Sequence, residues 1–488
     1  MNRLLRRPWL EAITRLANPR LPHSSPRTSL PSLSRWVRSP PSVPECERPA
    51  RILLLTSSLG SGHVRAAQAI EYAVRKRLPG AVVRTLDFWA LMDGRVAWVV
   101  RSAYLRLVQE NAGLFDRLYQ LEQRTWRKVM ESKDPPPEEF AEVLALIPPI
   151  SFAADVPPDT PQITSDRIYL RLLCMVLAGT HRGGRLLRMG LVRTAWNELT
   201  RRLVRQIVSF DPDTIIATQM NSAGLLSFAR RDDLLNVPTI GVPTDFGIHD
   251  FWAQPGIDHY FVAHESIAEA RDSRVWTGDF VATGIPLMPG FRQPPSTATA
   301  REELGLSPDL PVVLVAGGGL GLGVDCVAAR LLQRRCRMQL LVVTGRNSGA
   351  QQALSVLSAC HENRLKVCEW TEHMELFMRA ADVVVGKPGG LTVAEALACG
   401  RPLLATRSLG GQENFNVRFL ERHCVGRLVP EADLPETVEA LLSDPIGLAR
   451  MKERAWSLGK RESADRIADL VTRLSGRRHA NKIAGRHG

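Results

Sequence analysis

Apolar positions along this chain fall into two kinds of run. Short β-branched blocks alternate with stretches whose apolar residues recur every three or four positions, the pattern of strands and covering helices in a parallel sheet. Strands are expected at Arg51-Ile-Leu-Leu-Leu-Thr56, 82–87, 213–218, 239–245, 259–264 and 281–286, and again at 311–316, 340–344, 365–368, 381–385 and 401–406. After the first strand, Ala66, Ala67, Ile70, Ala73 and Val74 mark one face of a helix. A Pro/Ser/Thr-rich stretch over 287–300 reads as a linker. The expectation is an α/β protein of two units, 49–287 and 288–475, between a basic extension over 1–48 and a basic tail over 476–488. A mostly helical region at about 94–206 is inserted in the first unit.

Glycines gather where these strands end, the edge at which open α/β sheets bind ligands. The strand at 381–385 runs into Gly386-Lys387-Pro388-Gly389-Gly390-Leu391-Thr392, and a helix follows until Gly400 and Pro402. Gly389, Gly390 and Thr392 therefore occupy a strand-to-helix turn, where backbone N–H groups and the helix dipole favour an anion. Glu395 falls three residues past Thr392 on about the same face, within reach of ribose hydroxyls. The alternative is an ordinary turn with glycines for geometry only. A second glycine turn, Ser57-Ser58-Leu59-Gly60-Ser61-Gly62-His63, follows the first strand. His63 is either a helix-start residue or a proton acceptor working near neutral pH. A third, Gly317–Gly323, lacks the acidic residue about 20 positions on that a dinucleotide fingerprint requires. The loop Leu409-Gly410-Gly411-Gln412-Glu413-Asn414-Phe415-Asn416 is polar and ends a strand, where a polyol can be bonded.

Composition narrows the partners. Over 488 residues the net charge is +13, which calls for an acidic partner such as nucleic acid, an anionic membrane or a phosphorylated substrate. The eight cysteines form no CxxC pair and no Cys/His cluster at zinc spacing, so a structural metal is not expected. Residues 1–48 are rich in Arg, Pro and Ser, with Glu11 the only acid before Glu45. They resemble an organelle transit peptide, fit a disordered basic arm equally, or lie as an amphipathic helix on lipid. Tyr169 to Arg205 holds eight arginines, Arg182, Arg185 and Arg188 among them, against Glu198 alone. With Leu, Met, Val and Trp196 between them they read as a membrane-surface face, the bland account being a solvated helical pair. No aromatic platform or nucleic-acid module accompanies the charge.

Together the motifs SSLGSGHVRAAQAI, GVPTDFGIHDFW, VATGIP, VTGRN, GKPGGLTVAEALACGRPLL and GGQENFN resemble the glycosyltransferases that make glycosyldiacylglycerols. These are monogalactosyldiacylglycerol synthase and the processive diacylglycerol glucosyltransferases, and the likeness runs from about Arg51 to Leu470, weakest over 94–206. The resemblance implies a GT-B fold, two Rossmann-like domains facing across a cleft, the first taking a lipid acceptor and the second a nucleotide sugar. It implies an inverting transfer of a hexose from UDP-glucose or UDP-galactose to diacylglycerol, with no metal or other cofactor, on the cytoplasmic face of a membrane or a plastid envelope. Gly389, Gly390 and Thr392, with Pro388 beside them, would hold the UDP phosphates and Glu395 the ribose. Gln412 and Glu413, with Asn416 close by, would hold sugar hydroxyls, and Gly318 and Gly319 would let the diphosphate approach from the other side. Arg346 and Asn347, with Trp370-Thr371-Glu372, would flank the uridine. His63 takes the place of a catalytic or acceptor-orienting histidine, and Asp245 is the competing base or its electrostatic partner. Gly60, Gly62, His249 and Trp252 would line the acceptor side.

The chain also departs from that family. Gly317–Gly323 carries more glycines than usual, Gly410-Gly411-Gln412-Glu413 replaces a common Pro-Gly-Gln-Glu, and about 130–190 does not match. Rival readings are a UDP-sugar transferase acting on another lipid, a UDP-GlcNAc 2-epimerase, and a non-enzymatic peripheral membrane or nucleic-acid-binding protein on the same scaffold.

Overall fold

The computed structural model describes residues 48–97 and 198–484 apart from 59, 93, 95–96, 232, 249–251, 253–254, 270–277, 335–336, 362–363 and 407–410. Expectations for 1–47, for the inserted region over 98–197 with its arginines 182, 185 and 188, and for His249 lie outside the described residues.

Two six-stranded sheets carry the fold. The first comprises β1 (Arg51–Thr56), β2 (Val82–Asp87), β3 (Thr214–Ala217), β4 (Thr239–Gly241), β5 (His259–Val262) and β6 (Asp279–Ala282), in the order β2-β1-β3-β4-β5-β6. The second comprises β7 (Val312–Ala316), β8 (Gln339–Val343), β9 (Leu365–Cys368), β10 (Val383–Gly386), β11 (Leu403–Ala405) and β12 (Gly426–Leu428), in the order β12-β11-β10-β7-β8-β9. Every pairing in both sheets is parallel. The eleven expected strands are all present within a few residues. The short edge strand β12 lacks the apolar run that would have announced it, since Arg427 and Leu428 are exposed.

Helices used below are α1 (Ser61–Arg77), α2 (Met220–Arg231), α3 (Gly390–Ala398), α4 (Glu413–Arg422) and α5 (Ser463–Ala484). The strands are buried on both faces because helices cover both: Ile52, Leu53, Leu54, Val313, Leu314, Val383 and Val384 are all fully enclosed. In each sheet the strand order reverses once, between β1 and β3 in the first and between β7 and β10 in the second. At such a reversal neighbouring connections leave on opposite faces and open a crevice beyond the carboxyl ends of the strands. Those two crevices position the site.

The last helix crosses back from the second unit to the first. Ala464, Ile467, Ala468 and Val471 recur at helical spacing and enter one core with Ile52, Leu54, Ile70 and Val74. Ser463 Oγ donates to Ile285 O at 2.7 Å where the chain makes this return. The division of the sequence at 288–475 and 476–488 does not anticipate the crossing: 463–475 pack on the first sheet, and the helix continues to Ala484. Ile467 is wholly buried. Ile467→Ala is expected to cost about 2–5 kcal/mol in urea denaturation, through lost burial and the cavity left behind.

Candidate active site

The site is assembled from the loops at the two crevices. After β1 the chain turns through Ser57–Gly60, held by Ser58 N donating to Asp87 Oδ1 (3.2 Å) and Trp89 Nε1 donating to Ser57 Oγ (2.9 Å). His63 follows in the first turn of α1, and its Nδ1 lies 2.8 Å from Thr218 O at the end of β3. A carbonyl oxygen only accepts, so Nδ1 carries the hydrogen and the lone pair belongs to Nε2. Thr244 Oγ1 stands 3.0 Å from the same Nδ1. Burial lowers the His63 imidazole to about 4, with the Thr218 carbonyl opposing and the Lys387 charge adding to the fall. The ring is therefore neutral at working pH.

The second unit presses its glycine turn, Gly389-Gly390, directly onto this region. Gly389 caps α3, whose first helical bond is Val393 N to Gly389 O at 3.0 Å. A Cβ on Gly390 would lie 1.9 Å from Thr244 O and 2.8 Å from the Asp245 Cα, so only glycine fits. Asp245 Oδ1 accepts from Asn416 Nδ2 at 2.9 Å, and the Gly390 N–H also bonds to this carboxylate. Burial raises Asp245 to about 6, against the pull of Asn416 and Lys387. Asn416 is fully enclosed: its Oδ1 accepts from Phe246 N (2.7 Å), and its Nδ2 donates also to Pro388 O (2.9 Å). Phe246 and Phe419 stack beside it with centroids 4.3 Å apart.

Between the units lies a cleft of about 470 Å³, within the range that encloses small ligands. It brings together fourteen of the anticipated residues: Gly60, Gly62, His63, Asp245, Gly318, Gly319, Trp370, Thr371, Gly389, Gly390, Thr392, Glu395, Gln412 and Glu413. Burial pushes the Glu395 carboxyl up to about 8, the Arg65 charge opposing and Glu375 adding to the rise. Among the described residues, no group of three or more His, Cys, Asp or Glu side chains is placed to hold a metal ion.

Other anticipated residues have different work. Trp252 is not on an acceptor wall: it is 3% exposed in the first unit's core, and its carbonyl accepts from the Tyr260 hydroxyl at 2.6 Å. Asn347 caps a helix, its Oδ1 accepting from Ala350 N at 3.0 Å while its Nδ2 donates to Gly321 O. Arg346 is exposed and backs the Trp370 ring, its guanidinium carbon 4.9 Å from the centroid. Pro388 is buried, and Asn416 joins the units and keeps no amide group for a sugar. Residues not anticipated include Arg65, Trp89, Met220, Met374 and Lys387, which all line the cleft. Lys387 sits inside the glycine motif, and its charge was the one available signal. Its Nζ is 3.2 Å from Glu413 Oε1.

Known proteins similar to this chain bear on its family and fold. Residues 189–287 match the monogalactosyldiacylglycerol (MGDG) synthase family, and residues 312–471 match the glycosyltransferase family 28 C-terminal domain. A processive diacylglycerol beta-glucosyltransferase of Bacillus pumilus is 31% identical over 280 residues, 56% of this chain and 72% of that protein. Its counterpart in Bacillus subtilis is 29% identical over 279 residues, with the same coverage of 56% and 72%. Among solved structures, MurG of Acinetobacter baumannii has a TM-score of 0.51 at 16% identity, covering 87% of this chain and all 100% of that one. UGT71G1 of Medicago truncatula, complexed with UDP-glucose, has a TM-score of 0.50 at 11% identity, covering 88% and 98%. At such identities these structures speak for the fold, two Rossmann-like lobes in the GT-B arrangement.

The shifted carboxyl gives a test of the site's polarity. Glu395 is about 8 in the folded chain and near 4.5 unfolded, so the folded state holds an extra proton between those values. Wild-type stability relative to Glu395→Gln should therefore fall as pH rises through that window. The thermal midpoints should agree at about pH 4.5 and diverge in favour of the variant by about pH 8; a difference independent of pH would show that the carboxyl titrates alike in the folded and unfolded chain.

Proposed function

We propose that this chain, which belongs to the family of the processive diacylglycerol glucosyltransferases and monogalactosyldiacylglycerol synthases, is an inverting transferase that moves a hexose from a UDP-sugar to diacylglycerol. One observation carries the catalytic part. A neutral histidine, its Nδ1 hydrogen committed to Thr218 O, stands at the crevice of one sheet opposite two glycine turns at the crevice of the other.

In this reading the uridine stacks on Trp370, which is 38% exposed and backed by Arg346. Ribose hydroxyls reach Glu395 and draw it toward its ionised form. The diphosphate lies at the amino end of α3, against Gly389, Gly390 and Thr392, with Gly318 and Gly319 opposite. Gln412 and Glu413 take sugar hydroxyls. His63 Nε2 removes the proton of the glycerol hydroxyl as its oxygen attacks the anomeric carbon, and UDP departs from the opposite face. Asp245, tied to Asn416 beside the Thr244 hydroxyl that touches His63, holds this wall in place and supplies negative charge to the imidazolium that forms. The donor is UDP-glucose or UDP-galactose, and the acceptor enters past Trp89 and Met220. No helix among the described residues is long and apolar enough to cross a membrane. The net charge of +13 supports peripheral docking on an anionic surface, with Arg182, Arg185 and Arg188 as contributors.

Turnover of UDP-glucose and UDP-galactose with diacylglycerol in anionic vesicles tests the activity, and one donor should yield a glycolipid with release of UDP. His63→Ala should lower kcat by about 10²–10⁴-fold and leave UDP affinity unchanged. The pH profile of kcat/KM then separates the two candidate bases. A base works only when deprotonated, so activity falls as pH drops through its own value, which is about 4 for His63 and about 6 for Asp245. An acid limb near the upper value that survives in a His63 variant would move the role to Asp245.

A further inference from the structure

The mechanism above leaves the two cations of the cleft, Arg65 and Lys387, without a task. Lys387 is the residue immediately after β10, at the point where the second sheet reverses its strand order. Its side chain runs back across the strip between the two glycine turns. A Cβ on Gly318, whose φ is +68°, would lie 2.9 Å from the Lys387 Cε, and one on Gly389 would lie 3.8 Å from both Cε and Nζ. Its ammonium ends 3.2 Å from Glu413 Oε1, and that carboxylate is 5% exposed. Arg65, the other Lys or Arg lining the cleft among the described residues, is committed elsewhere: it donates to Glu372 O at 3.2 Å and lies beside Glu395.

We propose that Lys387 is a further catalytic residue of the transfer: its ammonium turns from Glu413 to the β-phosphate of the donor and meets the charge that develops there as the sugar leaves. The inference rests on the UDP-sugar reading of the cleft. In the step itself the bond between the anomeric carbon and the β-phosphate oxygen breaks, and its electron pair stays on that oxygen. The acceptor oxygen forms the new bond to the anomeric carbon, and its proton passes to His63. Lys387 donates a hydrogen bond to the departing oxygen and keeps its own proton, so UDP leaves as the anion. A diphosphate presents more charge than one carboxylate, which favours the exchange and hands Glu413 Oε1 to a sugar hydroxyl. The same ammonium adds to the fall of His63 that burial causes and opposes the rise of Asp245, as expected of a cation close to both.

The experiment compares wild type with Lys387→Met and Lys387→Arg, using UDP and UMP as binding probes and the vesicle assay for turnover. UDP and UMP differ in the β-phosphate alone, so Lys387→Met should weaken UDP by about tenfold and leave UMP within about twofold. With saturating donor, kcat should fall by about 10²-fold, the loss typical of one donor to a developing oxyanion, and Lys387→Arg should recover most of it. Equal weakening of UDP and UMP, or a kcat within about threefold of wild type, would overturn the assignment. Should the Met variant not fold, the Arg variant and Glu413→Gln carry the test. Glu413→Gln removes the competing carboxylate and should tighten UDP relative to UMP, and an unchanged ratio counts against the exchange. The nucleotide ratio needs no acceptor, so it reads Lys387 even if diacylglycerol proves not to be the acceptor. A wild-type chain that binds neither nucleotide would remove both readings.

Discussion

The contact between Gly390 and the Thr244–Asp245 backbone is the constraint on which the site depends. It allows no side chain, so the amino end of α3 meets the loop after β4 at main-chain distance. Asn416 then ties the two together, bonding Phe246 N, Asp245 Oδ1 and Pro388 O from one amide. Removing that amide would leave buried polar groups on both sides without partners, each costing about 1–3 kcal/mol. The distance between His63 and the glycine turn before α3 is thus set by a rigid, fully satisfied joint. The loops supply chemistry, and the joint supplies registration.

The cleft is also electrically light. Three of its groups have been moved by loss of water toward their neutral forms: His63 down to about 4, Asp245 up to about 6 and Glu395 up to about 8. The same loss of water strengthens the charge that remains, so the Lys387–Glu413 pair counts for more there than on the open surface. His63 stays neutral because burial outweighs the Thr218 carbonyl that favours its charged form. A negative charge brought beside it would raise its affinity for a proton.

Much of this was legible in the chain. The sheet strands announce themselves as β-branched runs, and glycines after β1, β7 and β10 mark the crevices because ligands and backbones must approach closely there. What escaped reading depends on partners remote in sequence. Asn416 looks like one more polar residue in a sugar loop, and only its bond to Asp245, 171 positions away, gives it another task. Trp252 follows a promising motif, yet the bulk of an indole was needed inside the first unit. Asn347 begins a helix, as its type favours, and that local bond consumes it. Lys387 was hidden in plain view, since a motif read for its glycines draws attention from the charge between them.

The returning helix α5 has a consequence for how the chain comes into being. The first sheet starts at Arg51, but its core is completed by Ile467, Ala468 and Val471. A ribosome therefore finishes nearly the whole polypeptide before that sheet can close, whereas every strand of the second sheet is available earlier than the helix. Folding during synthesis runs out of chain order: the lobe made second can settle first, and the lobe made first waits with an open apolar face. Any separately expressed first lobe inherits the same exposed face unless the last helix travels with it.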